Sequence, residues 1–180
     1  LITVPSAILV LCWIASLWGA SIRFTAPMLF ALGFVSVFRT GGLGGFFLGS
    51  AWTDVQLHDT YFVVGHFHLT MAMSPVFAIF AGLYYWFPRL FGRMMNETLG
   101  KIHFWGTIIF FHAVFVPMHF VGIAGMMRRI ANPLQYEFLK PVQHWNVIIT
   151  YGAIALVLFQ LPFIYNFFHT LIAGKKAEDN

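Results

Sequence analysis

Three histidines and one acid stand at the start of a long apolar segment of the chain. The run from His58 and Asp59 through His66 and His68 consists otherwise almost entirely of apolar and aromatic residues. Imidazole nitrogens and carboxylate oxygens are metal ligands, and ionisable groups inside apolar membrane segments are rare and mark functional sites. A lone histidine could equally bond a backbone carbonyl, so the interpretation depends on how the histidines are spaced.

His66 and His68 are spaced for two cofactors rather than one. Positions 66 and 68 of a helix lie about 200° apart, so their imidazoles leave it on nearly opposite sides. A single zinc ion would require histidines at i and i+4 on one face. The spacing therefore predicts one metal cofactor on each side, with the metals on the order of 15 Å apart. Gly65 has no side chain, and we expect a flat macrocycle to approach the helix there.

Two adjacent arginines, Arg128 and Arg129, have few acids near them in the sequence. The planar guanidinium group suits carboxylates, so these arginines indicate anionic partners. Without the histidines they would be ordinary loop charges, just as Asp59 beside His58 could be a helix cap. The other five histidines form no comparable group, and we expect packing, headgroup or loop roles for them. They are His103, His112, His119, His144 and His169.

The composition requires that membrane helices position these residues. Of the 180 residues, 59% are hydrophobic and only 9% are charged, against about 25% charge in soluble domains, and the mean hydropathy is +0.79. A soluble or disordered protein is excluded. The net charge of +4 is spread over short loops, so nucleic acid is not an expected partner. The single cysteine, Cys12, excludes intrachain disulfides and cysteine metal clusters.

Five apolar runs predict an all-α, polytopic transmembrane helix bundle with five spans. The runs cover residues 1–18, 26–49, 61–87, 102–124 and 144–172, each near the length that a bilayer requires. We expect one membrane domain over residues 1–180 with a polar tail at 173–180. The basic loop residues favour a C-terminal tail in the cytoplasm or matrix. Arg39 lies inside the second run with no predicted partner, and the apolar start at Leu1 suggests one part of a larger or split polypeptide.

Residues 58–70 resemble the tenth helix of subunit I in the heme-copper oxygen reductases, the terminal oxidases that take electrons from cytochrome c or quinol. Further segments resemble the same family in the same order. They are residues 16–23, 27–34, 41–45, 100–104 and 125–129. The resemblance covers virtually the whole chain and implies that its five spans are the last five helices of a twelve-helix subunit.

The resemblance implies heme-binding roles around the histidine pair. His66 would be the proximal, catalytic ligand of the high-spin heme where oxygen binds. His68 would be an axial ligand of the low-spin heme, and Phe67 would lie between the two hemes.

Other roles are implied at the edge of the heme region. His58 and Asp59 would be magnesium ligands, and Arg128 and Arg129 would hold the heme propionates. The ligands of copper B and the second axial ligand of the low-spin heme would lie outside this chain.

The implied protein is an integral membrane enzyme, a cytochrome c or quinol oxidase of a bacterial or archaeal plasma membrane or of the mitochondrial inner membrane. It would reduce dioxygen to water, coupled to proton translocation, together with the N-terminal part of subunit I, subunit II and other oxidase subunits. Leu9 occupies the position of a proton-channel lysine in the commonest branch, so such a route would depend on water and hydroxyls such as Ser6. Two alternatives stay open: a nitric oxide reductase-like member of the superfamily, and a heme-free transporter or structural membrane subunit.

Overall fold

The computed structural model describes residues 2–177, and this part of the chain forms an all-α bundle, as predicted. Its eight α-helices are α1 (Thr3–Ser16), α2 (Ala26–Leu48), α3 (Ala51–Leu57), α4 (Tyr61–Phe67), α5 (Met73–Phe91), α6 (Glu97–Ile123), α7 (Gln143–Leu158) and α8 (Leu161–Ala173). A π-helical turn, His68–Ala72, joins α4 to α5 without a break. Two 3-10 turns, Pro133–Gln135 and Glu137–Val142, precede α7.

Four helical stretches are long and apolar enough to cross a membrane. They are Ala26–Leu48, Tyr61–Phe91, Glu97–Ile123 and Glu137–Ala173, and they correspond to four of the five predicted spans. The first predicted span, residues 1–18, forms the apolar helix α1 of 14 residues. Such a helix is about 21 Å long, against about 30 Å of hydrocarbon core. The count of five spans is therefore not confirmed, and Leu1 lies outside the described residues.

Contacts near the helix ends bring three connecting segments together at one end of the bundle: those before α2, between α5 and α6, and after α8. At one end, the Ala26 backbone N–H donates to Glu97 Oε1 over 2.7 Å, which joins the start of α2 to the start of α6. At the same end, strand β1 (Arg93–Met94) pairs antiparallel with strand β2 (Lys175–Lys176). The predicted polar tail at 173–180 is thus described as far as residue 177, and residues 178–180 lie outside the described part.

The main core lies where α2, α5 and α6 meet. Phe30 of α2 is fully buried, and its ring lies edge-on to Phe104 of α6 with centroids 5.2 Å apart. Beside it, Tyr84 OH donates to Nδ1 of the buried His103 over 3.2 Å, and His103 Nε2–H donates to Gln160 Oε1 over 3.0 Å. Close packing and polar bonds of this kind hold membrane helices together. This bonding is consistent with the packing role predicted for His103.

Candidate functional site

Helix α4 carries the histidine pair and begins with a well-formed cap. Thr60 Oγ1 accepts from the Phe62 N–H over 3.2 Å and donates to Leu57 O over 2.7 Å. Thr60 is the N-cap, so the interpretation of Asp59 as a cap is wrong. Asp59 instead lies just before the cap with a positive φ of 59°, in the left-handed region. His58 and Asp59 therefore precede α4 and lie at the end of the bundle where α4 begins.

His66 is directed toward α2. Its Nδ1–H donates to Gly41 O over 2.7 Å, so Nε2 carries the free lone pair. The ring lies against two further glycines: a Cβ on Gly44 would be 3.1 Å from His66 Nδ1, and a Cβ on Gly45 would be 3.2 Å from His66 Cε1. The glycines of α2 thus make room for an imidazole whose orientation and tautomer are set by a backbone carbonyl.

His68 is directed toward α6. Its Nδ1–H donates to Val64 O over 2.8 Å, and its ring stacks on Phe115 with centroids 4.6 Å apart and an interplanar angle of 14°. The ring of Phe67 is 4.2 Å from that of His68 between centroids. A π-helical turn begins at His68, and such turns are frequent at functional sites. The two imidazoles contact different helices, as their spacing predicts, and their ligand roles stay predictions.

Gly65 faces α6 rather than a cofactor. A Cβ on Gly65 would be 2.7 Å from His119 Nδ1, and the expectation that a macrocycle approaches there is wrong because the His119 ring fills the space. His119 Nε2 is also 3.5 Å from the point where a Gly44 Cβ would lie, which brings His119 beside His66. No local signal in the sequence distinguishes His119, because its neighbours come from α2 and α4.

The loop after α6 returns to the start of α4. The Tyr61 N–H donates to Met126 O, and the Arg128 N–H donates to Asp59 O, each over 2.9 Å. Arg128 Nη2 lies 2.5 Å from Asp59 Oδ1. Two of the predicted site groups, distant in the sequence, are thereby brought together at one end of the bundle.

The arginine pair keeps capacity for an anionic ligand. Arg128 Nε is buried and has no hydrogen-bond partner among residues 2–177. Arg129 is exposed and takes part in none of the ion pairs found in that part of the chain. A buried N–H donor is costly when unpaired, so carboxylates such as heme propionates fit these residues.

His58 and Asp59 do not by themselves fit a magnesium ion. His58 Nε2 is 3.7 Å from Asp59 Oδ2, and Asp59 Oδ1 contacts Arg128. Within residues 2–177, no group of three or more His, Cys, Asp or Glu side chains could hold a metal ion. Magnesium at this place would need ligands from elsewhere.

Comparison with known proteins identifies the family of the chain. The family model described as Cytochrome C and Quinol oxidase polypeptide I matches residues 1–155. The chain is 46% identical over 180 residues to "Cytochrome c oxidase subunit 1" of Synechocystis sp., covering 100% of this chain and 32% of the relative. It is 41% identical over 181 residues to "Alternative cytochrome c oxidase subunit 1" of Bradyrhizobium diazoefficiens, covering 100% and 31%. It is 39% identical over 178 residues to "Cytochrome c oxidase subunit 1" of Candida albicans, covering 99% and 33%.

The chain thus spans about a third of the length of the curated relatives that it matches. The family match covers most of the chain, and four of its helical stretches could cross a membrane. This chain is an integral membrane protein that belongs to the cytochrome c and quinol oxidase polypeptide I family.

Proposed function

We propose that this chain supplies one axial ligand to each of two hemes in subunit 1 of a respiratory terminal oxidase that reduces dioxygen to water. The observation that carries the proposal is the pair His66 and His68. Each donates Nδ1–H to a backbone carbonyl, over 2.7 and 2.8 Å, and each has a free Nε2 on a different side of one helix. The relatives that support it are named cytochrome c oxidase subunit 1.

In this proposal, the chain's own residues orient and tune the ligands. A hydrogen bond from Nδ1–H to a carbonyl fixes the imidazole orientation and raises the basicity of Nε2. Phe115 stacks on His68 and keeps its ring from rotating. Arg128 and Arg129 bind the propionate carboxylates, and Phe67 packs between the two ligand positions. When bound, the hemes supply the redox chemistry of iron and the activation of oxygen.

Other components of the oxidase come from outside this chain. Copper B would take its ligands from the N-terminal part of subunit I, and magnesium at His58 and Asp59 would need additional ligands. Subunit II and the other oxidase subunits would complete the complex. We propose cytochrome c rather than quinol as the electron donor, because the relatives carry cytochrome c in their names. The test is the rate of oxygen consumption by the intact complex with each reduced donor, and a higher rate with quinol would contradict the choice.

Proton translocation is part of the same proposal, with an input route that uses hydroxyls and water. Ser6 of α1 donates to Ile2 O over 2.9 Å, and one turn later Leu9 offers no titratable group. The Ser6→Ala variant of the intact complex should slow proton uptake in vesicles, with Thr3→Ala, at an exposed hydroxyl of α1, as control. Equal rates in both variants and the wild type would remove Ser6 from the route.

The heme-ligand assignment is tested by His68→Ala in the intact complex. The low-spin absorption band should disappear and the heme content should fall by half, because an alanine cannot ligate iron. His112→Ala is the matched control, since His112 Nδ1–H makes the same bond to a carbonyl one turn earlier, over 2.7 Å to Ile108 O. An unchanged low-spin band in His68→Ala would refute the assignment.

Two measurements separate the alternatives. A pyridine-treated complex without a heme spectrum would support a heme-free transporter or structural subunit and refute the oxidase proposal. Metal analysis that finds a second non-heme iron in place of copper would support a nitric oxide reductase-like enzyme.

A further inference from the structure

Arg39 lies almost at the centre of a membrane span. It is two residues beyond the midpoint of the 23-residue helix α2, or about 3 Å along the axis. In a hydrocarbon core of about 30 Å, its Cα is about 12 Å from the nearer interface when the helix is centred in the bilayer. An extended arginine side chain reaches about 7 Å from its Cα. The guanidinium therefore cannot reach the lipid phosphates by extending along the helix.

No residue of the described part neutralises this arginine. The four ion pairs within residues 2–177 involve other cations, and the Arg39 side chain is exposed. An unpaired arginine in hydrocarbon is costly, and arginines at this depth pair with other groups. A group from outside residues 2–177 is therefore expected to pair with Arg39 at this level of the membrane, and an anion is the strongest partner for a guanidinium.

Arg39 faces away from the histidine site. Gly41 and Gly44 of α2 are buried and lie beside His66 and Leu69. Position 39 is about 200° from position 41 around the helix axis. The anion that pairs with Arg39 therefore approaches α2 from the side opposite His66.

The exposed face around Arg39 is a continuous stripe, which we call the Arg39 stripe: Ser36, Arg39, Leu43 and Phe46. These residues follow the spacing of three and four that aligns side chains on one helix face. Leu43 is 55% exposed and Phe46 is 62% exposed. Beyond Ser36 the stripe continues into an apolar groove of about 500 Å³ between α2 and α6, lined in part by Leu32, Phe104 and Trp105.

We propose that the Arg39 stripe is the docking surface for another membrane helix, which carries an Asp or Glu carboxylate level with Arg39. The guanidinium group binds a carboxylate through two parallel hydrogen bonds, and the groove accepts the apolar side chains of the same helix. A protein helix fits better than lipid because lipid phosphates are beyond the reach of Arg39. The curated relatives are about three times as long as the segment that this chain matches, so further chain is available to supply such a helix. The inference is independent of heme ligation.

Photo-cross-linking in the intact complex tests the proposal without altering Arg39. A benzoylphenylalanine at Leu43 should cross-link to a peptide from another membrane helix, with an Asp or Glu within one turn of the linked residue. The control is the same label at Phe34, which should link to α1 because Trp13 lies 4.8 Å from Phe34 between ring centroids. Cross-links from position 43 to lipid only, or to a helix without an acid within one turn, would overturn the proposal.

The second test reverses the charges of Arg39 and of the acid found next to the cross-linked residue. Arg39→Glu should reduce the yield of assembled complex at least about fivefold, as expected for a lost polar contact between membrane helices, whereas Arg39→Lys should keep most of it. Combining Arg39→Glu with replacement of the linked acid by Arg should restore the yield to within about twofold. Arg23→Glu, with the same charge change outside the span, should leave the yield unchanged. Assembly of Arg39→Glu at the wild-type yield, or no recovery in the double variant, would refute the pairing.

Discussion

Gly122 of α6 lies directly against the first turn of α4, and an alanine there should separate the two helices. A Cβ on Gly122 would collide with the Phe62 backbone nitrogen and would be 2.7 Å from the Phe62 Cα. Backbone atoms cannot rotate away, so reaching ordinary contact at 3.4 Å or more requires α6 to move by about 1 Å. Overpacking of this kind costs roughly 1–3 kcal/mol, and the rigid backbone contact favours the upper end.

The expected result for Gly122→Ala is a lower thermal unfolding midpoint of the intact complex. A loss of about 3 kcal/mol corresponds to a fall of about 6–12 °C for an unfolding unit of about 150–250 residues, and to a smaller fall when a larger complex unfolds as one unit. The low-spin absorption band should shift as well, because the contact between α4 and α6 holds His68 on Phe115.

Gly42→Ala is the matched control. Apart from the adjoining residues and backbone of its own helix, no atom among the described residues lies within 4 Å of a Cβ placed there. Alanine is also the better helix former, so the midpoint of Gly42→Ala should equal that of the wild type or exceed it. If Gly122→Ala unfolds at the same temperature as Gly42→Ala, the close packing of α6 on α4 does not hold and the reasoning fails.

Three further predictions concern the site. Asp59→Asn keeps a residue that tolerates the left-handed conformation but removes the charge beside Arg128, so the thermal midpoint of the complex should fall by at most about 2–4 °C, for a loss of up to about 1 kcal/mol. Arg129→Met should shift the heme midpoint potentials in a redox titration without loss of heme, because the cation tunes the site rather than holding it. Gly44→Ala crowds His66 Nδ1, since its Cβ would lie at 3.1 Å, and the high-spin absorption band should shift while the heme content stays constant.

Each of these predictions has a control and a contradicting outcome. For Asp59→Asn, the control is Asp54→Asn, and equal midpoints would show that the ion pair adds nothing to stability. For Arg129→Met, the control is Lys140→Met, a loop cation already paired with Glu137, and wild-type potentials in both would exclude a propionate role. Gly44→Ala is compared with Gly42→Ala, and identical high-spin spectra would mean that Gly44 does not position His66.

The membrane helices and the divergence of the histidines were determined by the sequence alone. Hydrogen bonds within one turn set the period of a helix, so the opposite directions of His66 and His68 follow from their spacing without knowledge of any neighbour. Helix lengths were less predictable. The predicted span at 1–18 contains an α-helix of only 14 residues, and the predicted span at 144–172 consists of two helices, α7 and α8.

The surroundings of the histidines were decided by the tertiary structure. Three contacts depend on how separate helices and loops pack. Gly65 makes room for His119, Gly41 accepts a hydrogen bond from His66, and Arg128 pairs with Asp59. Such contacts join residues far apart in the chain, and no local periodicity or residue type encodes which helix faces which. The directions in which His66 and His68 leave their helix are therefore a property of the sequence, while what each imidazole meets is a property of the packed bundle.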